Sequence, residues 1–162
     1  MKRSFFALIT LCAITAFGCQ LSNGQVKQYD QKRKMSKTPA EWKKVLSPNA
    51  YHIMVESGTE APFHNAYFNN HEKGVYVSAA TGEVLFSSED KFDSGTGWPS
   101  FVKPVDPKKI EIVTDNSYGM TRDEVIERST GLHLGHVFDD GPPSRGGKRY
   151  CMNSGALKFI KK

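Results

Sequence analysis

From Gly74 onward, apolar residues alternate with polar ones, and this period of two favours strands over helices in the second half of the chain. Residues 75–79 alternate, Thr81-Gly82 carries turn residues, and residues 84–86 resume the alternation, which predicts a β-hairpin. The chain also contains 14 glycines and eight prolines, a content typical of a loop-rich, strand-heavy fold and not of a helical bundle. We therefore expect a mainly β protein built from antiparallel sheets.

Later segments repeat the strand pattern between turn-forming residues. A Gly-rich turn occupies residues 93–99, and residues 141–147 form a loop that cannot be regular structure. The remaining strand candidates are Ile110–Ile112, Tyr118–Met120, Val125–Ser129, His133–Phe138, Arg149–Met152 and Ala156–Ile160.

Short helices are predicted only before the first strand. Thr38-Pro39-Ala40-Glu41 supplies the N-cap, N1 and N3 residues of a helix start, and Trp42, Val45 and Leu46 share the apolar side of that helix. A second short helix is predicted over residues 49–57. The folded domain is therefore expected to span residues 38–162.

The N-terminus has the pattern of a secretory signal, which we assign to residues 1–18. Lys2 and Arg3 precede an apolar run over residues 5–17, which is too short for an ordinary membrane-spanning helix. Ala16-Phe17-Gly18-Cys19 resembles a bacterial lipobox, in which the cysteine is acylated after cleavage. We expect an extracytoplasmic protein of the periplasm or cell envelope, anchored to a membrane as a lipoprotein through Cys19.

The positive charge of the chain lies in its N-terminal part. Of 22 lysines and arginines, seven lie in residues 1–37 with one of the 17 acids, so residues 38–162 hold 15 bases and 16 acids. The domain has no charge excess for nucleic acid, and we expect no nucleic-acid partner. Residues 19–37 are polar and read as a flexible tether.

One cysteine remains in the domain. Cys12 lies in the apolar run and Cys19 at the predicted cleavage site, which leaves Cys151. No disulfide can form within the domain, even in an oxidising compartment. On its own, a lone cysteine is most often a small buried hydrophobe, and its neighbours must decide whether it is reactive.

Arg149 and Asn153 give Cys151 a candidate catalytic face. On a strand, residues two apart point to the same side, so these three side chains can line one surface. The Arg149 charge favours a thiolate, and the Asn153 amide can donate to a developing oxyanion. The alternative is a solvated arginine and a turn-forming asparagine.

Two further segments carry candidate site residues. His133 and His136 face opposite ways on a regular strand, but Gly135 could bend it and let both imidazoles converge near the thiol as proton donors. Trp98 sits on the Gly-rich turn, where its indole could wall a pocket for a sulfur-bearing group. A structural histidine and a core tryptophan are the alternatives.

Four blocks of the sequence, in order, resemble the signature blocks of the B-type methionine sulfoxide reductases. They are Gly58–Phe63 (GTEAPF), Phe92–Phe101 (FDSGTGWPSF), His133–Pro142 (HLGHVFDDGP) and Arg149–Ser154 (RYCMNS). The resemblance extends from about Thr38 to Phe159. It implies a β-tent-like fold, reduction of the R epimer of methionine sulfoxide in oxidised proteins, and a thioredoxin-like reductant. We expect a monomer.

The resemblance also implies roles for individual residues. Cys151 attacks the sulfoxide sulfur and is left as a sulfenic acid. The other residues implied are His133, His136 and Asn153 at the sulfoxide oxygen, Trp98 and Phe138 at the substrate, and Arg149 with Asp140 holding the geometry.

Two departures from the family pattern change the expected chemistry. Many members bind structural zinc through two Cys-x-x-Cys pairs, but here those positions are Ser78, Thr81, Glu127 and Thr130, so we expect no metal and no cofactor. Thr96 stands where two-cysteine members carry a resolving cysteine. The Cys151 sulfenic acid should therefore need an external thiol.

Two other functions fit parts of the sequence. A degenerate, non-catalytic lipoprotein could bind methionine or methionine sulfoxide peptides without reducing them. A metal protein could use His133 and His136, but His52, His64 and His71 lie in the first half of the chain without a convincing spacing.

Overall fold

A computed structural model describes residues 33–162 of the chain. Within them, two short helices precede nine strands: α1 (Pro39–Val45), α2 (Pro48–Met54), β1 (Gly74–Ser78), β2 (Val84–Ser87), β3 (Lys91–Phe92), β4 (Ser100–Phe101), β5 (Ile110–Asp115), β6 (Arg122–Glu127), β7 (His133–Phe138), β8 (Arg149–Met152) and β9 (Leu157–Lys161). The predicted mainly β fold with short N-terminal helices is confirmed. The predicted signal peptide and Cys19 lie outside the described residues.

The strands form two antiparallel sheets. The smaller has the order β2-β1-β9, and the larger has the order β3-β4-β8-β7-β6-β5. Strand β8 lies inside the larger sheet, where Cys151 is opposite Ser100 of β4 and His136 of β7. The backbone of the cysteine is therefore held from both sides by neighbouring strands.

Local sequence sets the start of α1. The Thr38 hydroxyl accepts a hydrogen bond from the Glu41 amide at 3.3 Å, and the Glu41 carboxylate accepts one from the Thr38 amide at 2.8 Å. This reciprocal capping box satisfies two of the free donors at the helix start. Trp42 is buried as predicted, but the prediction for Val45 is wrong, since it is 62% exposed. Val45 lies about 100° around the helix from Leu46, which faces the core.

The core joins the helices to both sheets. An aromatic group links the sheets: Tyr76 of β1 contacts Phe101 of β4 edge-on at 5.0 Å, and Phe86 of β2 stacks on the same ring at 4.6 Å. All three side chains are fully buried. Burying rings of this size stabilises the fold by about 1.5–3 kcal/mol each.

The predicted strand at Tyr118–Met120 is wrong, because this segment is the tight turn between β5 and β6. Tyr118 and Gly119 have φ angles of 54° and 69°, so both lie in the left-handed region and reverse the chain. The turn brings Asp115 opposite Arg122. No helix within residues 33–162 has the length and apolar character needed to cross a membrane.

Candidate active site

A small cavity in the larger sheet brings Cys151 together with four other predicted site residues. Trp98, His136, Phe138 and Asn153 line this cavity with the cysteine, and its volume is about 220 Å³. Pockets for drug-sized ligands usually measure roughly 300–1,000 Å³. The cavity is therefore suited to the end of one side chain.

The Cys151 thiol lies in a half-buried position with hydrogen-bonding neighbours. Burial raises the pKa of the Cys151 thiol, although the Arg149 charge and hydrogen bonds from Thr96, Arg149 and Ser100 oppose the rise. The resting sulfur is therefore the protonated thiol near neutral pH, surrounded by groups that stabilise its negative form.

Arg149 lies two residues before Cys151 on β8, and its charge acts on the Cys151 thiol. Its Nε and Nη2 donate to the two Asp140 carboxylate oxygens at 2.8 and 2.9 Å, and this hydrogen bond lowers the pKa of Asp140. Its guanidinium also lies 4.4 Å from the centre of the Phe138 ring. The planar group is thus held by a two-pronged ion pair and an aromatic face. Asp140 itself is exposed.

A β-bulge brings the two histidine rings next to each other. The pairing of β7 with β6 skips Leu134, so one extra residue resets the alternation between His133 and His136. Their ring centroids are 5.3 Å apart. Gly135 is also required here, because a Cβ at this position would lie 2.1 Å from the Cys151 carbonyl oxygen.

His133 lies behind the cavity wall and is paired with a buried carboxylate. Its Nδ1 is 2.6 Å from Glu124 Oε1, and both side chains are almost fully buried. With Glu124 ionised, Nδ1 carries the proton, and Nε2 becomes the acceptor that faces the Asn153 amide at 3.4 Å. Glu124 thereby sets the tautomer of His133.

The Asn153 amide is oriented by contacts on both of its ends. Its oxygen accepts hydrogen bonds from the Thr59 hydroxyl at 3.2 Å and the Glu60 amide at 3.4 Å. Its nitrogen donates to the Leu134 carbonyl at 3.2 Å and contacts His133 Nε2 at 3.4 Å. The contact to His133 is the longer of the two and therefore the weaker. An oxygen atom in the cavity could replace it with the smaller loss of hydrogen-bond energy.

His136 lines the cavity and is held by a second carboxylate. Its Nε2 lies 2.9 Å from Asp115 Oδ2, which Arg122 Nη2 also contacts at 2.8 Å. Burial raises the pKa of Asp115, but hydrogen bonds from His136 and Ser117 and the Arg122 charge outweigh it, so the pKa is lowered. Burial lowers the pKa of His136. His136 is therefore neutral at pH 7, with Nε2 protonated and Nδ1 able to accept a proton.

The loop after α2 supports the other wall. The Glu60 carboxylate accepts hydrogen bonds from the backbone amides of Ser154 and Gly155, the latter at 3.1 Å. The Glu60 carbonyl accepts the Trp98 indole N–H at 3.1 Å. Glu60 thus ties the tryptophan to the segment that follows Cys151.

Ser78, Thr81, Glu127 and Thr130, the positions at which the resemblance led us to look for zinc-binding cysteines, lie together in a hydrogen-bond cluster in which all but Thr81 are buried. The hydroxyls of Thr81 and Thr130 donate to the Glu127 carboxylate at 2.5 and 2.8 Å. The nearby Ser78 side chain also acts to lower the pKa of this carboxyl. Burial raises the pKa of Glu127, and the hydroxyl hydrogen bonds oppose this rise. The cluster contains only hydroxyl and carboxylate groups, which hydrogen-bond to each other, and no thiolate or imidazole ligand. It therefore does not fit tetrahedral structural zinc.

The remaining histidines are engaged locally. His52 pairs with Glu56 at 2.9 Å, His64 contacts the Pro62 carbonyl at 3.0 Å, and His71 contacts the neighbouring Asn69 side chain at 2.9 Å. In the part of the chain from 33 to 162, no three metal-binding side chains are grouped to hold an ion.

Sequence patterns missed the groups that orient the predicted residues. Thr59, Glu60, Asp115, Arg122 and Glu124 all contact or line the site. Thr59 and Glu60 lie inside the first family-like block, which could have identified them. The last three lie on β5 and β6, where only the strand register shows which residues reach the histidines.

Comparison with known proteins agrees with this geometry. The model of the SelR domain family matches residues 46–161. The peptide methionine sulfoxide reductase MsrB of Methanosarcina barkeri is 51% identical over 125 residues, which cover 77% of this chain and 87% of that protein. The MsrB of Methanosarcina mazei is 49% identical over 128 residues, covering 79% and 91%. The chain therefore belongs to the SelR-domain family of B-type methionine sulfoxide reductases.

Proposed function

We propose that this protein is an enzyme that reduces the R epimer of methionine sulfoxide in oxidised polypeptides to methionine. The two relatives are peptide methionine sulfoxide reductases, which supports the reaction class. The observation that carries the proposal is a cysteine in a small cavity beside an indole, an imidazole and an amide. The cavity suits a methyl sulfoxide, whose apolar methyl group and polar oxygen need different walls.

The chemical step transfers one oxygen atom to Cys151. The sulfur of Cys151 attacks the sulfoxide sulfur and forms a transient bond between the two sulfurs. This bond and the bond between methionine sulfur and oxygen then break as a bond between oxygen and Sγ forms, and methionine leaves. The cysteine becomes a sulfenic acid, oxidised by two electrons, and methionine sulfoxide is reduced by two. The proton of the thiol ends on the transferred oxygen, so the step balances without another reactant.

His136 would move that proton. It is opposite Cys151 in the sheet, and its neutral ring can accept the thiol proton and return it to the sulfoxide oxygen. Asn153 would exchange its long contact with His133 for a hydrogen bond to the same oxygen. The Glu124–His133 pair keeps the amide oriented for this exchange.

Trp98 and Phe138 would form the apolar walls. Both line the cavity, and sulfur–aromatic contacts favour a thioether or sulfoxide sulfur near such rings. The Arg149–Asp140 pair holds Phe138 from behind and keeps a positive charge near the sulfur.

Regeneration of Cys151 would need two external thiols in turn. The first condenses with the sulfenic acid to give a mixed disulfide and water. The second attacks this mixed disulfide, which frees the Cys151 thiol and leaves the two reductant sulfurs joined in a disulfide. Cys151 is the one cysteine in the described domain, and Thr96 occupies the position of the resolving cysteine. A thioredoxin-like protein has the required chemistry.

The proposed enzyme works without zinc. The Glu127 cluster links the β1–β2 turn to the β6–β7 turn through hydrogen bonds, the same two turns that a zinc ion would link. Metal analysis of the purified chain tests this statement directly.

The proposed location is the cell envelope, with the domain held to a membrane through an acylated Cys19. The pattern of residues 1–19 is the support. Cys19→Ser should move the protein from the membrane fraction of a bacterial host to its soluble fraction and abolish labelling by a radioactive fatty acid.

Residues 20–162 can be assayed with each epimer of a methionine sulfoxide peptide and dithiothreitol. The expected result is turnover of the R epimer only, lost in Cys151→Ser and retained in Thr114→Val, an exposed strand residue used as control. If neither epimer is turned over and Cys151→Ser still binds the peptide, the protein is a binding module and not an enzyme.

A further inference from the structure

The Gly-rich turn that carries Trp98 also places three hydroxyl groups side by side. The Ser94 hydroxyl lies 2.8 Å from the Thr96 hydroxyl and 2.8 Å from the Ser100 hydroxyl. Ser100 is fully buried, and Ser94 and Thr96 are half-buried. We call these three side chains the hydroxyl cluster.

The hydroxyl cluster lies beside the reactive sulfur. Thr96 and Ser100 each act to lower the pKa of the Cys151 thiol, against the rise that burial causes. Ser100 is opposite Cys151 in the pairing of β4 with β8, so its position is set by the sheet. Ser94 does not bond to the sulfur and instead joins the other two hydroxyls to each other.

Each hydroxyl has one proton, which limits the patterns the cluster can adopt. With a neutral thiol, the S–H group can donate to Thr96, Thr96 to Ser94, and Ser94 to Ser100, whose proton then goes to the Trp98 carbonyl at 3.3 Å. With a thiolate, Thr96 and Ser100 can both turn their protons toward the sulfur. Rotation of hydroxyl groups is sufficient, and no heavy atom has to move.

We propose that the hydroxyl cluster is a rotatable set of donors that stabilises the Cys151 thiolate and then the sulfenic acid until an external thiol arrives. This inference rests on the proposed function. In this proposal Thr96 and Ser100 donate to the reacting sulfur and act as catalytic residues, while Ser94 is a positioning residue that acts through them. The side chain that replaces the resolving cysteine is thus itself part of the reaction.

The first experiment measures thiolate formation without any substrate. The rate of alkylation of Cys151 by iodoacetamide is followed against pH in the full-length chain, using mass spectrometry of the peptide that contains Cys151. Thr96→Val should raise the midpoint by about one pH unit and slow alkylation at pH 7 about tenfold. Ser94→Ala should give a smaller shift in the same direction.

Two matched variants separate hydrogen bonding from packing. Thr96→Ser keeps the hydroxyl and should restore the wild-type profile, whereas Thr114→Val removes a hydroxyl far along the sheet and should leave it unchanged. An unshifted midpoint in folded Thr96→Val overturns the inference, as does an equal shift in Thr96→Ser.

The second experiment measures the lifetime of the sulfenic acid. One equivalent of hydrogen peroxide converts the thiolate to sulfenic acid and hydroxide, and dimedone added after increasing delays traps what remains. In Thr96→Val the amount of sulfenic acid left for dimedone to trap should fall several-fold faster with the delay, while in Thr96→Ser it should fall at the wild-type rate. Equal lifetimes in all three proteins overturn the second half of the inference. If the wild type titrates as expected but reduces neither epimer, the proposed function fails and the hydroxyl cluster stands.

Discussion

Replacement of Glu127 by alanine tests the claim that a hydrogen-bonded carboxylate does the structural work of a metal ion. The change removes the common acceptor of the Thr81 and Thr130 hydroxyls, of which Thr130 is buried, beside the buried Ser78 side chain. Leaving a buried donor unpaired costs about 1–3 kcal/mol. The cost of leaving the Thr130 and Thr81 donors unpaired, together with the cost of the void left by the side chain, should exceed the free energy gained by no longer burying a carboxylate.

We expect Glu127→Ala to lower the free energy of unfolding by about 3 kcal/mol. For a domain of roughly 125 residues, with an unfolding entropy of about 0.26 kcal/mol per kelvin, this lowers the melting temperature by about 12 °C. Glu127→Gln keeps the shape and one acceptor oxygen, so its loss should be about 1 kcal/mol.

Urea unfolding followed by fluorescence of the buried Trp42 measures these differences. Glu83→Gln is the matched control, because Glu83 lies nearer the surface, where its ion pair with Lys109 is worth at most about 1 kcal/mol. An unfolding free energy of Glu127→Ala within about 0.5 kcal/mol of the wild type would refute the reasoning. So would about one zinc ion per chain whose removal by a chelator destabilises the protein.

Three further predictions follow from the same contacts. Thr96→Cys places a thiol beside Cys151, so one turnover without reductant should produce an intramolecular disulfide, seen as a mass lower by two hydrogens; persistence of a dimedone-reactive sulfenic acid would contradict it. Glu124→Gln should lower kcat about tenfold or more per folded molecule with little change in KM, because the tautomer of His133 is no longer imposed. If less of the variant is folded but kcat per folded molecule is unchanged, the pair is merely structural. The raised pKa of Glu127 means that the native state holds this proton more tightly than the unfolded chain, so its contribution to stability is full below pH 4.5 and is lost as pH rises. As pH rises from 4.5, the unfolding free energy of the wild type should therefore fall relative to that of Glu127→Gln. A difference between the two proteins that does not change with pH would contradict this prediction.

Much of the fold follows from patterns within a few residues. The bounds of β7 and β8 match the predicted segments, and the capping box at Thr38 starts α1 where expected. The shared face of Arg149 and Cys151 also follows directly from strand alternation. Such features depend on the repeat of the local backbone, so a single sequence is sufficient to predict them.

Other predictions failed where the local pattern was ambiguous. Tyr118–Met120 has the apolar residues of a strand, but two consecutive left-handed residues turn the chain there. The Asp115 and Ser117 side chains and Gly119 are ordinary turn residues, and a stricter use of turn chemistry could have identified the β5–β6 connection.

The sequence by itself determined the strand-rich class, the single cysteine of the domain and the family-like blocks around it. Only the tertiary structure decided that a bulge at Leu134 brings His133 and His136 together, that Glu124 and Asp115 hold them, and that Ser94 joins the hydroxyls of Thr96 and Ser100 to each other. The physical reason is that alternation and caps are encoded locally, whereas register, bulges and buried polar partners depend on which distant strands pair.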